Sequence, residues 1–160
     1  MALPMHEMLE AVKQYRGLPH RCQLVGSEQG VQWINDSKAT NVGACIAAIE
    51  GLVSNRNIIL IAGGVGKNQD FSALTPIFDA NVKAVILIGQ DARQLADVTP
   101  ESVIKHIVKD MTAAVIMAKA VAGTGDIVLL SPACASFDMY NGYSQRGDVF
   151  IEAVEAHCHE

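Results

Sequence analysis

The sequence is poor in aromatic residues, 5% of 160, and its 12 Lys+Arg stand against 17 Asp+Glu for a formal net charge of −5. No cluster of lysine or arginine breaks that acidic balance. The basic face that tracks a phosphate backbone is therefore missing, and nucleic acid is not an expected partner. No apolar stretch approaches the roughly 18 residues of a membrane span. The opening MALPMHEMLE also lacks the basic segment followed by an apolar one that marks a secretory leader, so a cytoplasmic protein without membrane insertion is expected. The four cysteines, Cys22, Cys45, Cys134 and Cys158, form no C-x-x-C pair. That spacing argues against a structural zinc site and for free thiols in a reducing compartment. His157-Cys158-His159 gathers metal donors only on a terminal tail, where fraying is the rule, and no metal site is assigned. Internal repeats, low-complexity segments and Pro/Ser-rich linkers are absent as well.

Apolar residues make up 50% of the chain. At this length they suffice for one domain with its own core, without disulfide or metal staples. Met5, Met8, Leu9, Val12 and Tyr15 recur at helical spacing between Pro4 and Gly17, which predicts a first helix. Arg21–Val25 and Val31–Ile34 read as a hairpin around the loop Gly26-Ser27-Glu28-Gln29-Gly30. From Asn41 onward Val42, Cys45, Ile46, Ile49 and Leu52 follow the 3.6-residue period of a helix. Ile58–Ala62, Ala84–Ile88 and Ile127–Leu130 are unbroken apolar runs ending in glycine or Ser-Pro, as strands covered on both faces require. Helical segments are expected around Phe71–Phe78, Ala92–Ala96, Met111–Val121 and Ser144–Ala156, with Val103–Val108 adding an edge strand. Alternating strands and helices predict an α/β, Rossmann-like, mostly parallel sheet with helices on both faces and an antiparallel edge hairpin.

Ligands of open parallel sheets bind beyond the carboxyl ends of the strands. Three loops lie there: NDSKATN (Asn35–Asn41), GGVGKNQDF (Gly63–Phe71) and SPACAS (Ser131–Ser136). They are expected to meet at one edge. GGVGK suggests a phosphate loop, yet Ile61 stands five positions before Gly66 where glycine is needed, and Asn68 follows Lys67 where Ser or Thr is needed. The G-x-G-x-x-G spacing fails too. Lys67 is then either a solvated lysine on a glycine turn or one contributor to an anion site shared by several loops. In NDSKATN either Thr40 or Asn41 could cap the following helix, whose free N–H groups would also suit an anion beside Lys38. Ser131 and Ser136 lack the flanking glycines of a nucleophile elbow, and Cys134 has no evident activating partner.

His20-Arg21, WINDSKATN, GGVGKNQDF and LLSPACASFDMYNGYSQRGDVF, in this order and at these separations, resemble the C-terminal domain of the bacterial Mur ligases, closest to the members that add D-glutamate. The resemblance covers essentially the whole chain. It implies that residues 20–160 are the D-glutamate-binding domain and residues 1–19 the end of a central ATPase domain. The UDP-binding N-terminal domain and the rest of the central one, with its phosphate loop and Mg2+ ligands, would then lie outside this sequence. The implied reaction is ATP-dependent: ATP phosphorylates the alanyl carboxylate of UDP-N-acetylmuramoyl-L-alanine, and the amine of D-glutamate attacks the acyl phosphate. Carried over residue by residue, Thr40 and Lys67 would hold the side-chain carboxylate of D-glutamate, and Ser136 and the backbone near Tyr143 its α-carboxylate. Arg21 would reach the ATP phosphates, Asp36 the ribose, and Lys38 the developing phosphate charge as a catalytic cation. Two positions depart from the family pattern: Val65 where Asp is frequent, and Tyr143 where Phe is familiar. The alternative is a stand-alone Rossmann-like nucleotide- or coenzyme-binding module, against which the failed glycine fingerprints count.

Overall fold

The structure is a computed structural model that describes residues 17–158 together with Met5, Glu7 and Met8. Those three residues of the expected first helix are helical, and the rest of that helix lies outside the described residues. So does His159 of the terminal His-Cys-His triplet.

Six strands form one sheet: β1 (Gln23–Glu28), β2 (Val31–Asn35), β3 (Ile58–Gly63), β4 (Val82–Ile88), β5 (Ile104–Ile107) and β6 (Ile127–Leu130), in the spatial order β1-β2-β6-β3-β4-β5. Only β1 runs antiparallel, pairing with β2 as the edge hairpin, and the other neighbours pair in parallel. The hairpin departs from the expected boundaries. Gly26, Ser27 and Glu28 belong to β1, paired with Trp33, Gln32 and Val31, so the connection shrinks to Gln29-Gly30. Both are at positive φ, +50° and +80°, as a tight two-residue hairpin turn demands. Gly26 reads as a loop signal, yet it sits within the strand just after a bulge, where the register shift between Leu24 and Gly26 leaves Val25 unpaired, a place where strands tolerate glycine.

Helices fill both faces: α1 (Val42–Leu52), α2 (Leu74–Asn81), α3 (Ala92–Val98), α4 (Met111–Val121) and α5 (Tyr143–Cys158). The unbroken apolar strands follow from this double cover. In β3, Ile58, Leu60 and Ala62 join Ile49 of α1, Phe78 of α2 and Leu95 of α3 in one core. The alternate residues Ile59 and Ile61 face the other way, into a core with Val115 of α4 and Phe150 and Val154 of α5. All of β3 is buried. The expected helix around Phe71–Phe78 begins later, at Leu74, because residues 71–73 form turns whose bonds run Leu74 N–H to Phe71 C=O and Thr75 N–H to Ser72 C=O.

The insertion of β6 between β2 and β3 decides where the loops meet. These three neighbours run parallel, so Asn35, Gly63 and Ser131 leave the sheet side by side at its carboxyl edge. On one side of β3 the chain proceeds through β4 and β5, and on the other it returns as β6. That reversal opens the crevice in which ligands of such sheets are bound.

Candidate functional site

The loops after β3 and β6 are stitched together by backbone. Val65 and Ala135 exchange both hydrogen bonds, at 2.8 and 2.9 Å, in an isolated antiparallel bridge, and Gly63 N–H donates to Pro132 C=O at 2.9 Å. The approach is so close that a Cβ on Gly64 would lie 2.1 Å from the Ala135 carbonyl oxygen. Gly64 also sits at φ +126°, a region that only glycine enters freely. Just beyond this bridge stand Lys67 on one strand of it and Ser136 on the other. Gln69 adds a third stitch: its side-chain N–H donates to Ala133 C=O at 2.7 Å, while its carbonyl accepts from the Val42 N–H that opens α1 at 3.1 Å.

The loop after β2 is fixed from within. Asn35 Oδ1 accepts from Ser37 N–H, and Asn35 Nδ2 donates to the Gly147 carbonyl and to His20 Nδ1, each at 3.1 Å. His20 Nδ1 is therefore the accepting nitrogen, leaving Nε2 to face Asp148 at 3.6 Å. The competition between Thr40 and Asn41 for the cap of α1 resolves to Asn41, which accepts from Ala44 N–H at 2.9 Å. Thr40 makes no side-chain hydrogen bond among the described residues.

Arg146, on the first turns of α5, joins all three loops. Its guanidinium donates to Ser37 Oγ at 3.0 Å, Ser37 C=O at 2.9 Å, Cys134 C=O at 3.1 Å and Gly63 C=O at 3.4 Å, and it is 1% exposed. Burial lowers its pKa to about 10, which leaves it cationic at neutral pH. Among the described residues no carboxylate pairs with it. In the sequence Arg146 stands only within a motif, with no role of its own. A signal is nevertheless present: Arg146, Phe150, Ala153 and Val154 share the i, i+4, i+7, i+8 stripe of α5, so this arginine occupies a core position. His20, Asn35 and Gln69 also stand only within motifs in the sequence, since the contacts that tie the loops together, Asn35 to Gly147 and His20 and Gln69 to Ala133 and Val42, join segments far apart along the chain.

Two cavities open above this scaffold. One, of about 150 Å³, is lined by Lys38, Thr40, Lys67, Ser136, Phe137 and Tyr143 among others. It thus gathers every residue named for the D-glutamate carboxylates, with Lys38. Ser136 is buried, and its hydroxyl has no intramolecular partner among the described residues. Lys67 is exposed at φ +53°, its ammonium 5.8 Å from the Phe137 ring centroid. The second cavity, about 340 Å³, is lined by Arg21, Cys22, Asp36 and Lys38 over an alanine floor of Ala39, Ala44, Ala47 and Ala48. Asp36 accepts from Cys22 N–H at 3.2 Å and from Ser131 Oγ at 3.1 Å. Desolvation raises its pKa above the usual carboxylate range, and these two hydrogen bonds and Arg21 oppose that rise. Cys134 is unsuited to nucleophilic work, because burial pushes its thiol up to about 12.

A cavity flanked by two lysines, a free hydroxyl and the first residue of a 16-residue helix suits a small molecule with two anionic groups. Comparisons with known proteins identify the family. The family model described as "Mur ligase, glutamate ligase domain" matches residues 20–134. The UDP-N-acetylmuramoylalanine–D-glutamate ligase of Pseudoalteromonas translucida is 52% identical over 147 residues, covering 91% of this chain and 32% of that protein. The ligase of the same name from Alcanivorax borkumensis is 46% identical over 162 residues, covering 100% of this chain and 36% of that one. The chain thus spans about a third of the length of the curated relatives it matches. Among solved structures, the bifunctional folylpolyglutamate synthase/dihydrofolate synthase of Yersinia pestis, complexed with AMPPNP and Mn ion, superposes with a TM-score of 0.67 at 18% identity, over 95% of this chain and 35% of that one. The UDP-N-acetylmuramate-alanine ligase of Thermotoga maritima does so with a TM-score of 0.62 at 14% identity, over 92% of this chain and 33% of that one. These two show the fold alone. With the family model matching most of its length, the chain belongs to the Mur ligase, glutamate ligase domain family.

Proposed function

We propose that this chain is the amino-acid-binding part of an ATP-dependent ligase that joins D-glutamate to UDP-N-acetylmuramoyl-L-alanine in the cytoplasm, a step of peptidoglycan biosynthesis. The observation that carries this reading is the 150 Å³ cavity, in which Thr40 and Lys67 stand with Ser136 and Tyr143. D-glutamate has two carboxylates a few bonds apart, so it needs separated anion sites. Thr40 and Lys67 take the side-chain carboxylate. The Ser136 hydroxyl and the backbone at Tyr143, where α5 begins with unpaired N–H groups, take the α-carboxylate. Held at both ends, the amine has one direction of approach to an acyl phosphate.

ATP supplies the phosphoryl group that activates the acceptor's terminal carboxylate. The larger cavity offers Arg21 for phosphate oxygens and Asp36 for the ribose, its carboxylate retaining acceptor capacity beside the two bonds it already accepts. Lys38 meets the charge that builds as the amine attacks and phosphate leaves. Among the described residues no group of three or more His, Cys, Asp or Glu could hold a metal ion. The remaining two thirds of a protein of the relatives' length would supply the Mg2+ ligands, the phosphate loop and the binding of the UDP-sugar.

Two measurements test the reading. Titrating the 160-residue chain with D-glutamate by NMR is expected to shift the amides of Thr40, Lys67, Ser136 and Tyr143 with a dissociation constant of about 1 mM or weaker, because a small ligand in a half-open site gains little. NAD and coenzyme A are expected to shift none of them. Submillimolar binding of either, with no response to D-glutamate, would replace the reading with that of a coenzyme module. Assayed alone, the chain is expected to show no ATP hydrolysis and no ligation, and turnover by it would mean a complete enzyme.

A further inference from the structure

Of the residues lining the two cavities, Lys38 alone lines both. Its ammonium lies 3.8 Å above the centroid of the Tyr143 ring, well within cation–π range. Among the described residues no carboxylate pairs with it. A lysine side chain has four rotatable bonds, so an unpaired ammonium on a surface normally samples many positions. Here its base and its resting place are both fixed. The Lys38 N–H donates to His20 C=O at 3.1 Å and its carbonyl accepts from Thr40 N–H at 2.9 Å. Preceding it, Ser37 donates its hydroxyl proton to Tyr143 C=O at 2.7 Å and accepts from Arg146 at 3.0 Å. The Tyr143 ring is buttressed in turn by His20, edge-on at 6.2 Å and 77°.

We propose that Tyr143 is a positioning residue for Lys38: its ring is the platform that holds the ammonium at the junction of the two cavities, in reach of an anion in either. The inference rests on the function proposed above, deepening its account of Lys38. It assigns the Tyr143 side chain a part distinct from that of its backbone. The face of an aromatic ring attracts a cation without neutralising it. A carboxylate in the same place would cancel the charge that an incoming phosphate or carboxylate needs. Parked on the ring, Lys38 keeps its full charge and loses its wandering.

The first arm of the test is NMR of the chain alone. The Lys38 ε-methylene protons are expected to shift upfield from the ring current in the unaltered protein and in Tyr143→Phe, and to return to ordinary lysine values in Tyr143→Leu. The second arm is kinetics in a longer protein carrying the rest of the ligase. Tyr143→Leu is expected to lower kcat roughly three- to thirtyfold, the range of one such contact, while the D-glutamate KM changes less than about twofold. Tyr143→Phe restores most of the loss. In a Lys38→Ala background Tyr143→Leu is expected to cost nothing further. Absence of the upfield shift overturns the platform even if D-glutamate binds. Equal losses in the Leu and Phe variants, or an undiminished cost in the Lys38→Ala background, overturn its role in the reaction. Loss of D-glutamate binding by the unaltered chain, with the upfield shift intact, would instead strike the proposed function.

Discussion

Arg146 grips Ser37 twice, with Nε on the hydroxyl at 3.0 Å and Nη2 on the carbonyl at 2.9 Å. Those two hydrogen bonds tie α5 to the loop after β2 across 109 residues of sequence. The remaining bonds of the same guanidinium, to Gly63 and Cys134, reach the other two loops. Burying a cation is costly unless dipoles replace its water, and here three carbonyls and a hydroxyl do so. Together with the Val65–Ala135 bridge and Gln69, this one side chain fixes the relative position of the three loops.

Replacing Arg146 by Met is expected to cost at least about 3 kcal/mol, because each carbonyl left buried without a donor costs roughly 1–3 kcal/mol. Urea unfolding of the chain measures this, and a loss under about 1 kcal/mol would show that water enters to serve those carbonyls. Arg146→Lys is expected to recover only part, since one ammonium lacks the planar fork that spans Ser37, Gly63 and Cys134.

Two glycine substitutions should act in opposite directions. In Gly64→Ala the new Cβ meets the Ala135 carbonyl at 2.1 Å, at φ +126°, so strain and clash together cost on the order of 3 kcal/mol. At roughly 2–4 °C per kcal/mol for a domain of this size, Tm falls by about 6–12 °C. Gly51→Ala, inside α1 with nothing within 4 Å of the added carbon, is expected to raise Tm slightly, because alanine favours a helix by about 0.5–1 kcal/mol over glycine. A calorimetric scan of both variants checks the pair.

For Lys67→Ala in a protein of the relatives' length, the proposed function predicts a D-glutamate KM raised about ten- to a hundredfold, with the ATP KM little changed, as for the loss of one charge-assisted contact of roughly 1.5–3 kcal/mol. Steady-state kinetics that left the D-glutamate KM and kcat untouched would remove Lys67 from the site.

The thiols give a pH dependence. Burial pushes Cys45 and Cys134 up to about 12 from an ordinary 9.0. The unfolded chain therefore releases these protons at lower pH than the folded one does. Their contribution to stability is fully present below about pH 9 and is lost as the pH rises toward 12. Denaturation midpoints measured from about pH 8 to 11 should fall accordingly. At about pH 8, exposed Cys22 should react first with a disulfide reagent, while Cys45 and Cys134 wait for unfolding. Mass spectrometry of freshly purified protein should find all four thiols reduced.

Much of the fold was legible because its signals are local. Ile127–Leu130 and Met111–Val121 fall where the apolar run and the helical period place them, since covered strands and amphipathic helices each impose their own spacing on the sequence. Glycine carried ambiguous information: Gly26 follows the bulge at Val25 within β1, whereas Gly30 marks the turn itself. A residue without a side chain suits both places, and only the pairing with β2 tells them apart.

By itself the sequence determined the α/β alternation, the loops at the carboxyl edge of the sheet, and a family resemblance that names Thr40, Lys67, Ser136 and Tyr143. Tertiary structure alone decided that β6 enters between β2 and β3, which sets those residues around one cavity, and that Arg146 reaches Ser37, Gly63 and Cys134 from the far end of the chain. Periodicity reports which face of an element is buried. It carries no record of which strand becomes a neighbour, because that choice is made by packing and hydrogen bonds between segments far apart in sequence.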